Sequence, residues 1–455
     1  MDDFGLPLRK DYLIMTSSTQ HSTTTGFNLI EALQEARKRT LELFHDLSDE
    51  QMMGPRLRIV NPMRWEVGHV SWFQEFWVLR HLGGLSSFMK DSDALYDSAK
   101  VGHDTRWDLP LPSRKETLRY MQQVLDRVCD LSDNRKREPV NGYDEDYFRY
   151  LVLYHEQMHA EALTYTRQTL SYPSPRLDVV GGIPNTTGER VSGDAWIPGG
   201  EFVLGSPARF VFDNEREPHP VEVKPFSISK TAVSNGEFAA FVEDGGYNRR
   251  ELWSEEGWNW KESAGAEHPV YWRREPSGRW LRRNFDQWVD LQERVAIIHV
   301  NWYEADAYCR WARRRLPSEA EWEMAAACEP GSGGGISNHK RMYPWGDTPP
   351  TPEHANLDWR AGGCIEVDAL PAGDSAFGCR QMIGNSWEWT STTFGGYPGF
   401  VAGPYKEYSE PWFGDHKVLR GGCWATRSTM IRNAYRNYYT PDRRDVWCGF
   451  RTCAL

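Results

Sequence analysis

Two histidines four residues apart are the first place in this chain where residue types and spacing could support chemistry. His155 and His159 lie in the stretch His-Glu-Gln-Met-His-Ala-Glu. On a helix, residues four apart lie one turn above each other on the same face, so both imidazoles could bind one metal ion. Residues 144–168 contain no Gly or Pro, which predicts that this stretch is helical.

A metal site needs a third ligand. Glu161 lies about 200° around the helix from His159, so we expect it to point nearly away from the metal and to lie at the core edge or orient a neighbouring imidazole. His69 is the better candidate, because it lies in a second aromatic-rich helical run that follows Pro62. A lone histidine is more often a hydrogen-bonded core residue, but the His155/His159 pair favours a ligand role for His69. Three neutral histidines leave coordination positions open, as non-haem Fe(II) centres require.

The same stretch also matches the zinc-peptidase pattern His-Glu-x-x-His. In that pattern the glutamate is the general base, and Glu156 occupies its position. A zinc hydrolase is therefore an alternative hypothesis. It predicts tight Zn(II) binding and activity without O2.

Composition excludes several classes of function. The 455 residues suffice for two or three domains, and the net charge of −11 argues against a nucleic-acid partner. No apolar run reaches the roughly 18 residues of a membrane span. The eight cysteines include no Cys-x-x-Cys pair, which excludes a zinc ribbon and predicts reduced thiols in a cytoplasmic protein. The 21 Trp, 20 Tyr and 19 Phe would suit a pocket that holds a cation against ring faces.

The chain divides into segments that differ in composition and in the spacing of apolar residues. We expect residues 1–25 to form a disordered tail and residues 26–172 to form about four helices, hence a four-helix bundle. Residues 173–195 are rich in Pro, Gly, Asn, Thr and Ser and are predicted to be a linker. Residues 196–455 combine short apolar pieces with many Gly and Trp, which indicates short strands and loops. The predicted fold class is α+β.

Several motifs of residues 196–455 carry a resemblance to a known family, namely Trp196-Ile-Pro-Gly-Gly-Glu-Phe, Val233-Ser-Asn-Gly-Glu-Phe, Arg315-Leu-Pro-Ser-Glu-Ala-Glu-Trp-Glu, Gly384-Asn-Ser-Trp-Glu-Trp-Thr and Leu419-Arg-Gly-Gly. They resemble the formylglycine-generating-enzyme (sulfatase-modifying factor) domain, a C-type-lectin-like fold. The N-terminal bundle with its His…His-x-x-x-His-x-Glu pattern resembles the DinB-like domain. Fused in this order, the two look like the sulfoxide synthases of ergothioneine biosynthesis (EgtB type), including the selenoneine synthases (SenA type).

The resemblance implies a substrate and a cofactor. Fe(II) would be bound by His69, His155 and His159, and the imidazole of hercynine, the trimethylated betaine of histidine, would join the iron. Chemistry that depends on O2 would then join a ring carbon to a sulfur or selenium donor. A quaternary ammonium cannot donate a hydrogen bond, so it needs aromatic faces. The family positions that line its pocket correspond to Tyr397, Asn437 and Tyr438.

The sequence departs from the family at the proton donor. Some members carry a catalytic Tyr three residues before the Tyr of Tyr-Pro-Gly-Phe, where this chain has Phe394. Other members supply a Tyr from a loop of the helical domain, and Tyr96 matches that alternative. Tyr96 is therefore the predicted proton or hydrogen-bond donor near O2.

The sequence also departs at the positions that bind the second substrate. Tyr439 stands where members using γ-glutamylcysteine carry an Asp, while the following Arg is present as Arg443. Arg443 could clamp a carboxylate, and Arg106 is a further candidate for that role. Met158 replaces a Gln that contacts the carboxylate of hercynine through water. These changes favour free cysteine or a selenosugar as the donor over γ-glutamylcysteine.

Two further rivals remain at this point. A formylglycine-generating oxidase needs a pair of copper-binding cysteines, but Cys423 stands where that family has Ser, and Thr426 and Ile431 occupy the ligand positions. A binding module without activity is the second rival, because lectin-like folds commonly only bind. It would need all three histidines to be structural.

Overall fold

The computed structural model describes residues 28–132, 139–140, 142–183, 189–208 and 210–455. The predicted tail at residues 1–25 lies outside this range. The helices before residue 170 are α1 (Leu29–Glu42), α2 (Asp49–Met53), α3 (Met63–Gln74), α4 (Ser92–Tyr96), α5 (Arg114–Ser132) and α6 (Glu145–Thr169). A π-helical segment, Glu75–Leu82, continues α3.

The helices begin where side chains can satisfy the first backbone N–H groups. The Asp144 side chain accepts the N–H of Tyr147 at the start of α6, and Ser48 forms a capping box with Gln51 at the start of α2. At the start of α5, the Glu116 carboxylate accepts the N–H of Ser113 at 2.9 Å. Such caps stabilise a helix by about 1 kcal/mol each. The caps at Ser48 and Ser113 thus fix where α2 and α5 begin.

The four long helices form a bundle. Helix α1 packs on α6, and α3 packs on α5 and α6. Their apolar faces share one core, which includes Leu33, Val67, Val124 and Leu151. The predicted helical bundle is confirmed. Among the described residues, no helix is long and apolar enough to span a membrane.

In the described part of the remaining chain, the regular elements are short strands and four more α-helices, joined by loops and short 3-10 turns. The helices are α7 (Asn235–Glu243), α8 (Glu255–Ala264), α9 (Trp302–Trp311) and α10 (Glu319–Ala327). The strands are β1 (Asp194–Ile197), β2 (Gly200–Leu204), β3 (His219–Val223), β4 (Phe226–Ser229), β5 (Trp272–Arg274), β6 (Trp280–Asn284), β7 (Gln287–Asp290), β8 (Arg314–Arg315), β9 (Cys328–Pro330), β10 (Ile336–Lys340), β11 (Trp387–Thr393), β12 (Lys417–Arg420), β13 (Asn437–Tyr439), β14 (Cys448–Gly449) and β15 (Cys453–Ala454).

Two four-stranded sheets organise this second half. One has the order β1-β4-β15-β8 and the other the order β13-β12-β11-β14. In the second sheet, Tyr438 on β13 pairs with Val418 on β12 in antiparallel register. Smaller pairs, β2-β3 and β9-β10, and a three-stranded sheet, β5-β6-β7, complete the half. Helices segregated from mainly antiparallel strands constitute an α+β fold, as predicted.

A buried ion cluster fixes α10 to β12 and the loop before β13. The Glu319 carboxylate accepts from Arg420 at 2.9 Å and from Arg436 at 2.7 Å, and all three side chains are almost fully buried. Burial opposes ionisation, but the two guanidiniums outweigh it and hold the pKa of Glu319 below its usual value. Removing one partner of such a cluster leaves buried charge uncompensated.

Glu319→Ala is therefore expected to lower the free energy of unfolding by about 3 to 5 kcal/mol. The exposed carboxylate of Glu201 on β2 supplies the matched control, and Glu201→Ala is expected to stay within about 0.5 kcal/mol of the parent. Urea denaturation followed by tryptophan fluorescence measures both. Equal stability of the two variants would contradict the structural role assigned to the cluster.

Candidate metal centre and its cavity

Three histidines from two facing helices come together inside the bundle. His69 lies on α3, and His155 and His159 lie on α6. Their ring centroids are 4.5 to 5.1 Å apart, and one nitrogen from each ring lies within 4.8 Å of the other two. Nitrogens at this separation can bind one metal ion at bonds of about 2 Å. The structure thus brings together the three ligands predicted from the sequence.

Hydrogen bonds orient two of the three rings. The Nδ1–H of His69 donates to the Tyr96 carbonyl oxygen at 2.7 Å, and the Nδ1–H of His159 donates to Glu66 Oε1 at 2.8 Å. These bonds place the proton on Nδ1, so each Nε2 keeps its lone pair for a metal.

The third ring, His155, indicates that the site is built to be filled. It is 2% exposed, and neither of its nitrogens has a hydrogen-bond partner in the described part of the chain. Its ring stacks on Phe73 with centroids 3.6 Å apart. Buried polar groups are almost always satisfied, and a metal ion would satisfy this one. Burial, together with the neighbouring His159, lowers the pKa of both His69 and His155 well below the usual value, so both rings stay neutral, as metal ligands must be.

Glu156 points away from this centre. Its carboxylate accepts from Arg37 at 2.8 Å and from Gln74 at 2.6 Å, in the interior of the bundle. It is fully buried there. A general base must reach a water at the metal, and this ion pair holds Glu156 elsewhere.

A cavity of about 240 Å3 adjoins the histidines at the seam between α6 and the second half of the chain. Its lining residues are His155, Met158, His159, Glu161, Ala162, Tyr165, Trp387, Tyr405, Tyr408, Met430, Tyr435, Asn437, Tyr438 and Tyr439. The wall is thus mainly aromatic. Apart from the histidines, Glu161 is the only residue of this described lining that is an Asp, Glu, Lys or Arg.

Three of the predicted substrate-binding residues line this cavity. Asn437, Tyr438 and Tyr439 form β13, which runs along its wall. The Tyr438 ring stacks on Phe394 at 3.8 Å, and its hydroxyl donates to the Tyr408 carbonyl oxygen. Tyr438 is therefore fixed in place and presents its ring to the cavity.

Tyr397 lies elsewhere, in the buried ion cluster. Its hydroxyl donates to Glu319 at 3.2 Å, and its ring packs on the Arg436 guanidinium at 4.2 Å. It is not among the residues that line the cavity. Its geometry is that of a core residue of the second half.

Tyr96 also contributes differently from the prediction. Its ring packs against the backbone of α3 at Gly68, and its buried hydroxyl lies beside Thr117 on α5. The hydroxyl therefore faces the bundle and not the cavity. What Tyr96 gives the site is its backbone carbonyl, which holds His69.

The two predicted arginines lie outside the cavity lining. Arg443 forms two hydrogen bonds with the Asp445 carboxylate, at 2.7 and 2.8 Å. Arg106 stacks on Trp65 at 3.9 Å and donates to Asn61 at 2.6 Å. Burial lowers the pKa of Arg106 to about 10. Neither guanidinium is placed to clamp an anion inside the cavity.

Sequence reasoning missed Tyr405, which lies between two cavities. Its ring centroid is 6.1 Å from that of His155, and its hydroxyl is within hydrogen-bonding reach of Ser98. On its other side lies a second cavity of about 250 Å3 with Phe73 in its wall. Tyr405 sits in a loop without a regular spacing, so no periodicity could indicate it. Tyr165 also lines the cavity, from the face of α6 that carries Glu161 four residues earlier.

Helix α6 is fixed to the second half by buried hydrogen bonds. The Glu161 carboxylate accepts from the Trp387 indole and from the Thr426 hydroxyl, both at 2.7 Å. Burial raises the pKa of Glu161, and the hydrogen bonds from Thr426 and Trp387 offset part of that effect. Helix geometry predicted that Glu161 points nearly away from the metal. The structure places it at the edge of the same cavity.

Gly68 determines how closely α4 can approach the metal ligands. A Cβ atom at Gly68 would lie 2.3 Å from the Tyr96 ring. Gly68→Ala is expected to displace Tyr96, break its hydrogen bond to His69 and lower metal affinity by about tenfold or more. At Gly102 the nearest atom to such a Cβ is 3.9 Å away, so Gly102→Ala is the control. Metal content by plasma mass spectrometry, with far-ultraviolet circular dichroism to verify folding, measures the effect. Full metal content in the folded Gly68→Ala variant would contradict it.

Comparisons with known proteins cover both halves of the chain. Residues 32–163 match the DinB superfamily, and residues 182–454 match the sulfatase-modifying factor enzyme 1-like domain. The chain is 36% identical over 430 residues to the hercynine oxygenase of Mycobacterium tuberculosis, covering 92% of this chain and 96% of that protein. It is 35% identical over 438 residues to the hercynine oxygenase of Mycolicibacterium smegmatis, covering 93% of this chain and 97% of that protein.

A further relative matches only part of the chain. The formylglycine-generating enzyme of Streptomyces coelicolor is 32% identical over 323 residues, which cover 62% of this chain and 95% of that protein. The hercynine oxygenases match across both halves, and the resemblance read from the sequence motifs is thereby confirmed. The chain belongs to the hercynine oxygenase family of enzymes, in which a DinB-type helical bundle precedes a sulfatase-modifying-factor-type domain.

Proposed function

We propose that this protein is an Fe(II)- and O2-dependent enzyme that joins a ring carbon of hercynine to the sulfur of a thiol donor, cysteine, to give a sulfoxide. The observation that carries the proposal is a three-histidine centre that opens onto an aromatic cavity. Relatives named hercynine oxygenase over nearly the full length support the substrate. An aromatic wall suits a quaternary ammonium, which can be held by ring faces but cannot donate a hydrogen bond.

The bonds broken and formed in this reaction, and the electrons that O2 accepts, define the chemistry that the site must support. One C–H and one S–H bond break, and one C–S bond forms. O2 accepts four electrons, and its two oxygen atoms end in the sulfoxide and in water. Fe(II), held by His69, His155 and His159, would supply the redox chemistry and the coordination positions for the substrates.

The side chains of the chain then position the reactants. Phe73 stacked on His155 and the ring of Tyr438 shield the centre from bulk water. Asn437 and Tyr438 form part of the cavity wall beside the betaine end of hercynine. Tyr405, whose ring centroid lies 6.1 Å from that of His155, would turn its hydroxyl from Ser98 to donate a hydrogen bond to oxygen derived from O2. Its phenol takes the part first assigned to Tyr96, whose hydroxyl faces α5.

A selenosugar is the second candidate for the donor, and a specific observation favours it. No lysine or arginine is among the described residues that line the cavity, and Arg443 is engaged by Asp445. A donor carboxylate therefore lacks a clamp within the cavity, whereas a sugar needs none. With this donor the enzyme would be a selenoneine synthase that forms a carbon–selenium bond.

The rival hydrolase and oxidase functions are less well supported. The ion pair with Arg37 keeps Glu156 from acting as a base at the metal. At the positions of the oxidase's copper ligands, the hydroxyl of Thr426 bonds to Glu161 and Ile431 is buried. Neither residue is a copper ligand.

The decisive experiment loads the enzyme anaerobically with Fe(II) and adds hercynine, O2 and either cysteine or a selenosugar. Mass spectrometry is expected to find a hercynyl-cysteine sulfoxide, and a selenium conjugate formed with the sugar alone would establish the second candidate. His155→Ala is expected to lose iron and all product, while His45→Ala, at an exposed histidine of the bundle, is expected to keep both. Absence of a hercynine product with either donor would reject the proposed function.

Replacing Tyr405 by Phe tests the proton donor. Tyr405→Phe is expected to slow formation of the conjugate by about 10² and to divert O2 toward oxidation of cysteine to its sulfinate. Tyr96→Phe is the comparison, and it is expected to leave the ratio of conjugate to sulfinate unchanged. The ratio is measured by mass spectrometry. If Tyr96→Phe changes it and Tyr405→Phe does not, the role belongs to Tyr96.

A further inference from the structure

Glu161 lines the cavity, and its carboxylate has no basic partner among the described residues. The side chain is 8% exposed, and both of its oxygens accept from neutral donors, the Trp387 indole and the Thr426 hydroxyl. Among the described residues no lysine, arginine or histidine forms an ion pair with it. A buried carboxylate without a counterion is costly, so its presence in a substrate cavity calls for a ligand that carries the missing charge.

The groups around Glu161 suit a cation as well. Trp387, Tyr165, Tyr435 and Tyr439 share the cavity wall with it. Aromatic ring faces are negative and attract ammonium groups within about 6 Å. Because the described lining contains no lysine or arginine, nothing there competes with a bound cation for the carboxylate.

The position of Glu161 along α6 relates it to the metal. It lies six residues beyond His155 and two beyond His159, which is roughly 9 Å and 3 Å along the axis of the helix. It is turned toward the second half of the chain, where Trp387 and Thr426 hold it. His155, His159 and Glu161 line the same cavity, so a ligand whose imidazole is bound at the histidines can reach Glu161 through that cavity.

We propose that Glu161 is the anionic anchor of the substrate cavity and selects a substrate that carries an ammonium group beside its metal-binding imidazole. This inference rests on the proposed function and assigns recognition of the substrate's positive charge to Glu161. In hercynine, three bonds separate the imidazole ring from the quaternary nitrogen. That nitrogen would lie against the carboxylate and the ring faces of Trp387 and Tyr439.

A purely structural role is the competing explanation, because Glu161 also joins α6 to the second half of the chain. Glu161→Gln separates the two. The amide oxygen of Gln can accept from the Trp387 indole, and its NH2 group can donate to the Thr426 hydroxyl. The substitution thus keeps the hydrogen bonds between the halves and removes only the charge. Glu407→Gln removes a charge near Tyr405 outside this cavity and is the matched control.

Isothermal titration calorimetry of the anaerobic, Fe(II)-loaded protein provides a readout that does not depend on turnover. The probes are hercynine and imidazolepropionate, which has the same ring and carboxylate but no ammonium. Glu161→Gln is expected to weaken hercynine binding by on the order of tenfold or more and imidazolepropionate binding by less than about twofold. Glu407→Gln is expected to change neither.

The outcomes separate this inference from the proposed function. Equal weakening of both ligands by Glu161→Gln would show a structural role and overturn the anchor. Unchanged hercynine binding would overturn it as well, while the proposed function would stand. If the parent protein binds neither ligand, the proposed function fails and the anchor fails with it.

Discussion

The attachment of one helix on two sides is the constraint on which this molecule depends. Helix α6 must face α3 so that His155 and His159 meet His69, and it must also be fixed to the second half of the chain. Buried hydrogen bonds achieve the second task, among them those from Trp359 to Thr164 and from Trp387 to Glu161. A shift of α6 toward either side would open the metal centre or the cavity, so both halves must fold for either to be complete.

The division of labour between the halves follows from this arrangement. The bundle supplies rigid imidazoles, because a helix fixes the spacing of His155 and His159 and neighbouring helices supply Glu66 and the Tyr96 carbonyl as orienting groups. The second half supplies aromatic side chains from β13 and the surrounding loops. Loops on a rigid scaffold can vary without disturbing the metal ligands, which allows one metal centre to serve different donors.

The sequence predicted what depends on local periodicity. The two-histidine helix and the order of the two halves could be read from spacing and composition, since a helix repeats every 3.6 residues. Residues whose role depends on tertiary packing could not. Tyr397 and Tyr96 carry suitable hydroxyls, yet one is bonded to Glu319 and the other faces α5. On a helical wheel Glu161 lies on the side of α6 away from His159. A wheel does not show how far the cavity extends around the helix, and the cavity reaches Glu161.

The ion pair between Glu156 and Arg37 has a consequence for reading related sequences. The five letters His-Glu-x-x-His describe a peptidase only if the glutamate is free to face the metal. Here an arginine from α1, 119 positions earlier, holds it in the bundle interior. A basic residue at the matching place of the first helix is therefore a marker, visible without a structure, that can keep chains of this kind from being misassigned as metallopeptidases.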